Sequence, residues 1–364
     1  MMRFDLWWTG LATILTCTGV APGQAPPRPQ RDMQRVATES WQSEEAKCLS
    51  NVRQLTSPSM GLLKSGEAYF SPDGRMVIFQ ATPAGDPYYQ IYTLKLDDEG
   101  RAIPDSLLRV STGAGECTCA YYRPDGKKII FASSHLDPRL EKDPRPSETG
   151  GYRGRDGKYQ WPFNDHMDIF EADVDGRNRR RLTDAPGYDA ECAYSPDGRH
   201  IVFASNRTGD VEIYVMDADG RNARRITNAP GYDGGPFFSP DGARIIYRSD
   251  RRGDGNMQIF TNSLDGTDEK ALTKNEHLNW CPFWHPSGRF IVFTEGDHTA
   301  MPPTYDLLLM RADGSQRTRI TSYPGFDGLP VFSPDGKRLM WTSKRGPDNT
   351  AQVFVADFTP PKGF

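Results

Sequence analysis

Four residues recur at one place in a repeated pattern. Asp189, Asp233, Asn279 and Asp327 each stand six residues before the first residue of a proline-centred turn. Ser65 and Cys117 hold that place in two further copies, and Glu67 and Glu191 stand two residues beyond it in theirs. Carboxylates and amides gathered at one level of a ring can hold a cation, a lysine or arginine side chain, or sugar hydroxyls. The competing reading is local: Asp189, Asp233 and Asp327 each follow "PGY" or "PGF" and could cap their own loops through backbone N–H groups. Glu67, Asp189, Glu191, Asp233, Asn279 and Asp327 form the candidate ligand-binding set.

Histidine offers a second chemistry. His135, His166, His277 and His298 fall in or beside loops on the same side of the repeat, and three of them could hold a divalent cation. That arrangement would resemble the metal-dependent oligogalacturonate lyases, carbohydrate-active enzymes whose propeller has seven blades. No HxH or HxxxH spacing pairs the histidines, and no G-x-S-x-G elbow supplies a nucleophile. No catalytic residue is assigned, and no cofactor is expected apart from that candidate cation. The "DADG" from Asp217 to Gly220 lacks the further acidic ligands of a calcium loop.

The elements that must position these residues are set by the turn itself. Ser71-Pro72-Asp73-Gly74 recurs as RPDG, SPDG, SPDG, HPSG and SPDG, at spacings of 52, 72, 44, 46 and 48 residues. Proline presets φ, Asp favours the next position, and Gly accepts the positive φ that returns a hairpin to its partner. One repeat reads as four strands: "DAECAYS" (a), "RHIVFAS" (b), "VEIYVMDA" (c) and "ARRIT" (d). The β-branched and aromatic residues of b and c suit buried strands. A period of this length with four strands implies a propeller blade.

Six d-strand endings ("RQLT", "RVST", "RRLT", "RRIT", "KALT", "TRIT") match six a strands. The first precedes any strand a, and the last repeat ends at strand c. The expected fold is therefore an all-β, six-bladed propeller of four-stranded antiparallel blades, closed by an N-terminal strand that completes the C-terminal blade. The d–a and b–c connections share one face, where the candidate residues sit. The a–b and c–d turns share the other, and their Asp residues read as turn chemistry.

The pattern "FSPDGxxIxF…IYxxDxDG…xxLT" resembles the repeat of the TolB-like six-bladed propellers, from Asn51 to Phe358. The resemblance implies an exported, non-catalytic binding or scaffold protein; TolB itself engages a peptidoglycan-associated lipoprotein. TolB also carries a separate α/β domain before its propeller. Only about two dozen residues stand between Ala25 and Asn51 here, too few for such a domain.

Residues 1–25 read as a signal peptide: Arg3, an apolar run from Leu6 to Val20, then small residues ending at Ala25. The expected location is periplasmic or secreted; an uncleaved anchor or a lipoprotein attached through Cys17 are the rivals. Residues 26–50 read as a linker with a short helix, 51–358 as the propeller and 359–364 as a tail. The second blade carries an insertion, 135–165, between strands b and c, with Tyr152, Tyr159, Trp161 and Phe163 available to meet a ligand or the rim. The net charge of −4, without a block of like charge, argues against nucleic acid and against a basic membrane-binding face. The expected partner is an envelope protein or glycan, and the expected state a monomer with no membrane span in the mature chain. Five mature cysteines leave at least one unpaired, with Cys119–Cys192 or Cys117–Cys192 as conceivable bridges.

Overall fold

In a computed structural model, the described residues are 41–364 apart from 104, 144–149 and 154–159, with side chains left aside at 150–153 and 160–162. The segments read as a signal peptide and as most of the linker lie outside them. Six four-stranded antiparallel sheets follow one another along the chain. The third blade is representative: a (Asp189–Tyr194), b (His200–Ser205), c (Glu212–Asp217) and d (Arg224–Arg225). The last blade holds Asp327–Phe332, Arg338–Ser343 and Gln352–Phe358, and its fourth strand is Leu49–Gln54 from the other end of the chain. The ring closes as the repeat arithmetic requires.

The threonine that ends strand d explains why "LT" recurs. Thr56 Oγ1 accepts the N–H of Val353 at 2.9 Å, and Thr227 accepts that of Ile213 at 2.9 Å. Thr183, Thr273, Thr321 and Ser111 do the same for Ile169, Ile259, Leu307 and Ile91. The hydroxyl so completes a ladder at the point where the two-residue strand stops. It also donates to the first side chain of strand c, as in Thr56 to Gln352 at 2.7 Å and Thr227 to Glu212 at 2.6 Å.

The proline turns are built as their residues imply. Ser71 Oγ donates to Asp73 at 2.6 Å and accepts the Met76 N–H at 2.9 Å, while Gly74 has φ 68°. Ser195, Ser239 and Ser333 repeat the bond to Asp197, Asp241 and Asp335. The glycine of the c–d turn has a different duty. A Cβ on Gly220 would meet the Leu182 carbonyl of the preceding blade at 2.5 Å, so that glycine lets neighbouring blades close up. Between blades the core is apolar, for example Ile130, Ile169, Phe203 and Tyr214.

The stretch before the first strand also packs. Residues 41–45 are helical, and Glu45, Cys48 and Leu49 are buried. Trp41 meets Tyr323 edge-on at 5.4 Å. Glu45 accepts from Arg345 at 2.9 and 3.1 Å and from the Ser322 N–H at 2.9 Å.

Candidate functional site

Every strand a is broken at the same residue. A β-bulge shifts the register in all six, and the residue in it takes a left-handed conformation: Glu67, Cys119, Glu191, Gly235, Cys281 and Leu329, with φ between 47° and 59°. Five of the six are not glycine, and each such residue costs on the order of 1 kcal/mol or more. All six line one axial cavity of about 530 Å³. The bulge is what turns these side chains inward.

Within the cavity the charges are unequally matched. Glu191 accepts from Tyr232 Oη at 2.7 Å, Tyr188 Oη at 3.1 Å, the Gly235 N–H at 2.5 Å and Arg248 at 2.9 Å. Arg248 comes from strand b of the fourth blade and fills the place beside Gly235, where a Cβ would lie 2.1 Å from its guanidinium. It also reaches Tyr232 Oη at 2.8 Å and Cys281 Sγ at 3.8 Å. Burial works against its charge, but Tyr232 and Glu191 beside it hold the guanidinium above its ordinary range. Glu67 receives a long bond of 3.4 Å from Tyr69 Oη. Burial raises its carboxyl and the Cys119 bond opposes this; Glu191 raises it further, and Arg248 again lowers it. One guanidinium thus bonds Glu191 and acts on Glu67 only through its charge. Burial also raises the Cys119 and Cys281 thiols, which stay protonated.

Three rings of this cavity's lining, Tyr69, Phe237 and Phe283, pack with Tyr121. The four meet at centroid distances from 5.1 to 6.3 Å. Beyond them a second cavity of about 300 Å³ opens among the six turn prolines. Phe163, which ends the inserted hairpin, lies against Tyr188, a residue of the cavity lining, at 5.1 Å and against Tyr232 at 5.7 Å.

The candidate set divides. Glu67 and Glu191 lie together in the cavity. Asp189, Asp233 and Asp327 lie outside its lining, buried under arginines of the b–c loops: Arg207 at 2.8 Å, Arg251 at 2.9 Å and Arg345 at 2.6 Å. Each of those arginines also donates from Nε to the serine that ends strand b. Asn279 donates to Asn275 Oδ1 at 2.6 Å and to the His277 carbonyl at 2.9 Å. The pairing had a sequence signal: wherever Asp stands at this place, strand b ends in Ser-x-Arg (205–207, 249–251, 343–345). Sequence reasoning missed Arg248, Tyr188 and Tyr232; the signal for Arg248 was a second charge, beyond Arg244, inside the otherwise apolar strand "RIIYRS", opposite Gly234.

The histidines fall into two pairs. His135 bonds Ser133 at 2.8 Å and His166 lies 3.7 Å from Asp137, both in the second blade. His277 lies 3.7 Å from Asp297, and His298 bonds Tyr305 Oη at 2.9 Å, both in the fifth. Among the described residues no three His, Cys, Asp or Glu side chains are arranged to hold a metal ion. Cys48, Cys117, Cys119, Cys192 and Cys281 are free and buried, with Cys192 Sγ 3.5 Å from the Cys119 carbonyl.

A closed ring of six four-stranded blades with a polar axial cavity defines the class: a six-bladed β-propeller. The chain belongs to the TolB-like propeller family. A family model described as the TolB beta propeller domain matches residues 163–302. An uncharacterized protein of Agrobacterium fabrum is 33% identical over 293 residues, covering 75% of this chain and 82% of that one. The Tol-Pal system protein TolB of Francisella tularensis subsp. mediasiatica is 29% identical over 103 residues, 28% of this chain and 23% of its own length. The crystal structure of TolB from Acinetobacter baumannii superposes with a TM-score of 0.56 at 20% identity, over 80% of this chain and 63% of that chain. Among the described residues no helix is long and apolar enough to cross a membrane.

Proposed function

We propose that this protein is an exported, non-catalytic binding module of the bacterial envelope, and that its partner, an envelope protein, engages the polar mouth of the axial cavity. One observation carries the reading. Five of the six bulged strands hold a strained residue, and these direct Glu67, Cys119, Glu191, Cys281 and Leu329 into the cavity. There one guanidinium bonds Glu191 and leaves Glu67 to a single long tyrosine bond and the Cys119 thiol. A cationic or hydroxyl-bearing group would satisfy the second carboxyl. Kinship to a Tol-Pal system protein favours a protein partner over a glycan. The apolar N-terminal segment ending at Ala25 supports export.

The test uses the full chain immobilised and exposed to an envelope fraction from its own organism. Glu67→Arg should lose the captured partner without changing the melting temperature by more than a few degrees, while Pro240→Ala on the opposite face should retain it. Capture that survives Glu67→Arg would refute the mouth as the site. Capture that is lost on glycosidase treatment of the fraction would replace the protein by a glycan. Export is read from the mature N-terminus after fractionation, expected at Pro26.

A further inference from the structure

Blades three, four and six share one device on their rim. The strand-a Asp, the strand-b Ser and the first residue of strand c form a row across three strands: Asp189–Ser205–Glu212, Asp233–Ser249–Gln258 and Asp327–Ser343–Gln352. An arginine two residues after the serine folds back over the row. Its guanidinium bonds the Asp and the Ser hydroxyl, as in Arg207 with Asp189 at 2.8 Å and Ser205 at 2.9 Å.

The fifth blade has the row without the arginine. Its members are Asn279, Glu295 and Asp306, paired across the same three strands. The arginine's place in sequence holds Asp297, whose carboxylate accepts from the Thr299 and Ala300 N–H groups. The row therefore carries two carboxyls, as many as the row of the third blade and one more than those of the fourth and sixth, without the b–c loop arginine that covers each of them. Beside it, Arg319 on strand d lies 3.1 Å from Asp306 Oδ2, and the His277 ring lies 3.7 Å from Asp297. Arg345 of the sixth blade is engaged by Asp327 and Glu45.

Two acceptors in the row are left over. Asn279 Oδ1 and Asp306 Oδ1 are buried and make no hydrogen bond, in residues 0% and 4% exposed. A buried acceptor without a donor is costly; the fourth blade keeps one, Asp233 Oδ1, under its arginine, and this row keeps two. Burial raises the Asp306 carboxyl to about 7; Arg319 opposes this, and Asp327, Glu45 and Glu295 reinforce it. Glu295 is half-buried and gives the row its opening to solvent, with Asn275 holding one oxygen at 3.0 Å.

We propose that the row Asn279–Glu295–Asp306 is a receptor for a guanidinium supplied from outside the chain, an arginine side chain of a partner polypeptide, in the role that Arg207, Arg251 and Arg345 play within their own blades. This site is separate from the axial cavity and does not rest on the function proposed for it. A guanidinium suits it better than an ammonium because the sister blades read two acceptors at once with a planar fork.

The probe is Nα-acetyl-arginine amide, with Nα-acetyl-citrulline amide as its neutral isostere and calcium chloride as the metal arm. The readout is the side-chain amide signal of Asn279 and the imidazole signal of His277 in the full chain at pH 8. The arginine amide should shift both saturably and citrulline should not. Glu295→Gln, with Asp306→Asn as a second variant, should weaken the arginine response about tenfold or more, since each removes a charge-assisted bond. Equal shifts with citrulline, or unchanged affinity in both variants, would overturn the proposal. Calcium that saturates the signals at lower concentration than the arginine amide would overturn it in favour of a metal.

Discussion

Thr56 Oγ1 lies 2.9 Å from the backbone nitrogen of Val353 and 2.7 Å from Gln352 Oε1, so the two ends of the chain are joined across nearly 300 residues by one hydroxyl. In the first three blades the same pair of bonds, from Ser111, Thr183 and Thr227, joins strands that are covalent neighbours. Here it also holds the ring shut, and the first prediction concerns what happens when the strand is absent.

A chain starting after Ser57 lacks the closing strand and should lose cooperative unfolding, because the strand Gln352–Phe358 becomes an open edge. A chain starting after Ala46 keeps the strand but loses Glu45, which bonds Arg345 inside the rim. It should still unfold cooperatively, at a lower temperature, with a loss of about 2 kcal/mol. Paired thermal melts of the two truncations check this; identical transitions would contradict the closure.

Glu212 gives a pH prediction. Burial pushes its carboxyl up to about 7, against the Thr227 bond, with Asp233 and Asp210 adding to the rise. The folded state then binds the proton more tightly than the unfolded state does. That stabilisation is present at low pH and is lost as pH rises from the ordinary glutamate range to about 7, a loss on the order of 3 kcal/mol. Glu212→Gln should remove the loss, and Gln90, Gln258 and Gln352 already stand at this place in other blades. Melts at pH 5 and pH 8 should show the variant gaining on the wild type only at pH 8.

Arg248 and Glu191 should behave as one unit. Arg248→Met strips the cation from Glu191 in the cavity and should destabilise by about 3 kcal/mol or more. Adding Glu191→Gln should recover most of that loss. Gly235→Ala should act like a mild form of Arg248→Met, since its Cβ would displace the guanidinium. A double-mutant cycle read by denaturant melts measures the coupling, and additive losses would show that the pair is independent.

Phe163 ties the inserted hairpin to the rim tyrosines of two other blades. Phe163→Ala should lower stability by only about 1 kcal/mol, since the side chain is partly exposed and its contacts are aromatic pairs. It should weaken partner capture more strongly than it lowers the melting temperature. Replacing 136–163 by "NRTGD" should likewise leave a folded ring, because the repeat core is complete without it. A collapse of folding in the replacement would make the insertion structural.

The sequence by itself determined the ring. The turn Ser-Pro-Asp-Gly and the d-strand threonine are local devices whose bonds run to neighbours a few residues away or to the adjacent strand, so their residue types announce them. Counting six strand-a and six strand-d signatures also settled how the ring closes, since a d strand in front has one place to go. The site was legible only in part. Asp189, Asp233 and Asp327 looked like a ring of free acids because their partners, Arg207, Arg251 and Arg345, lie 18 residues on, across the a–b hairpin. What each side chain faces depends on the bulge at Glu67, Cys119, Glu191, Gly235, Cys281 and Leu329. An alternating pattern assigns inward and outward positions by counting in twos, and one extra residue in the strand shifts the count without leaving a mark in the residue types. The gathering of Glu191 with Arg248, 57 residues apart on neighbouring blades, was decided by the curvature of the ring, which only the tertiary structure contains.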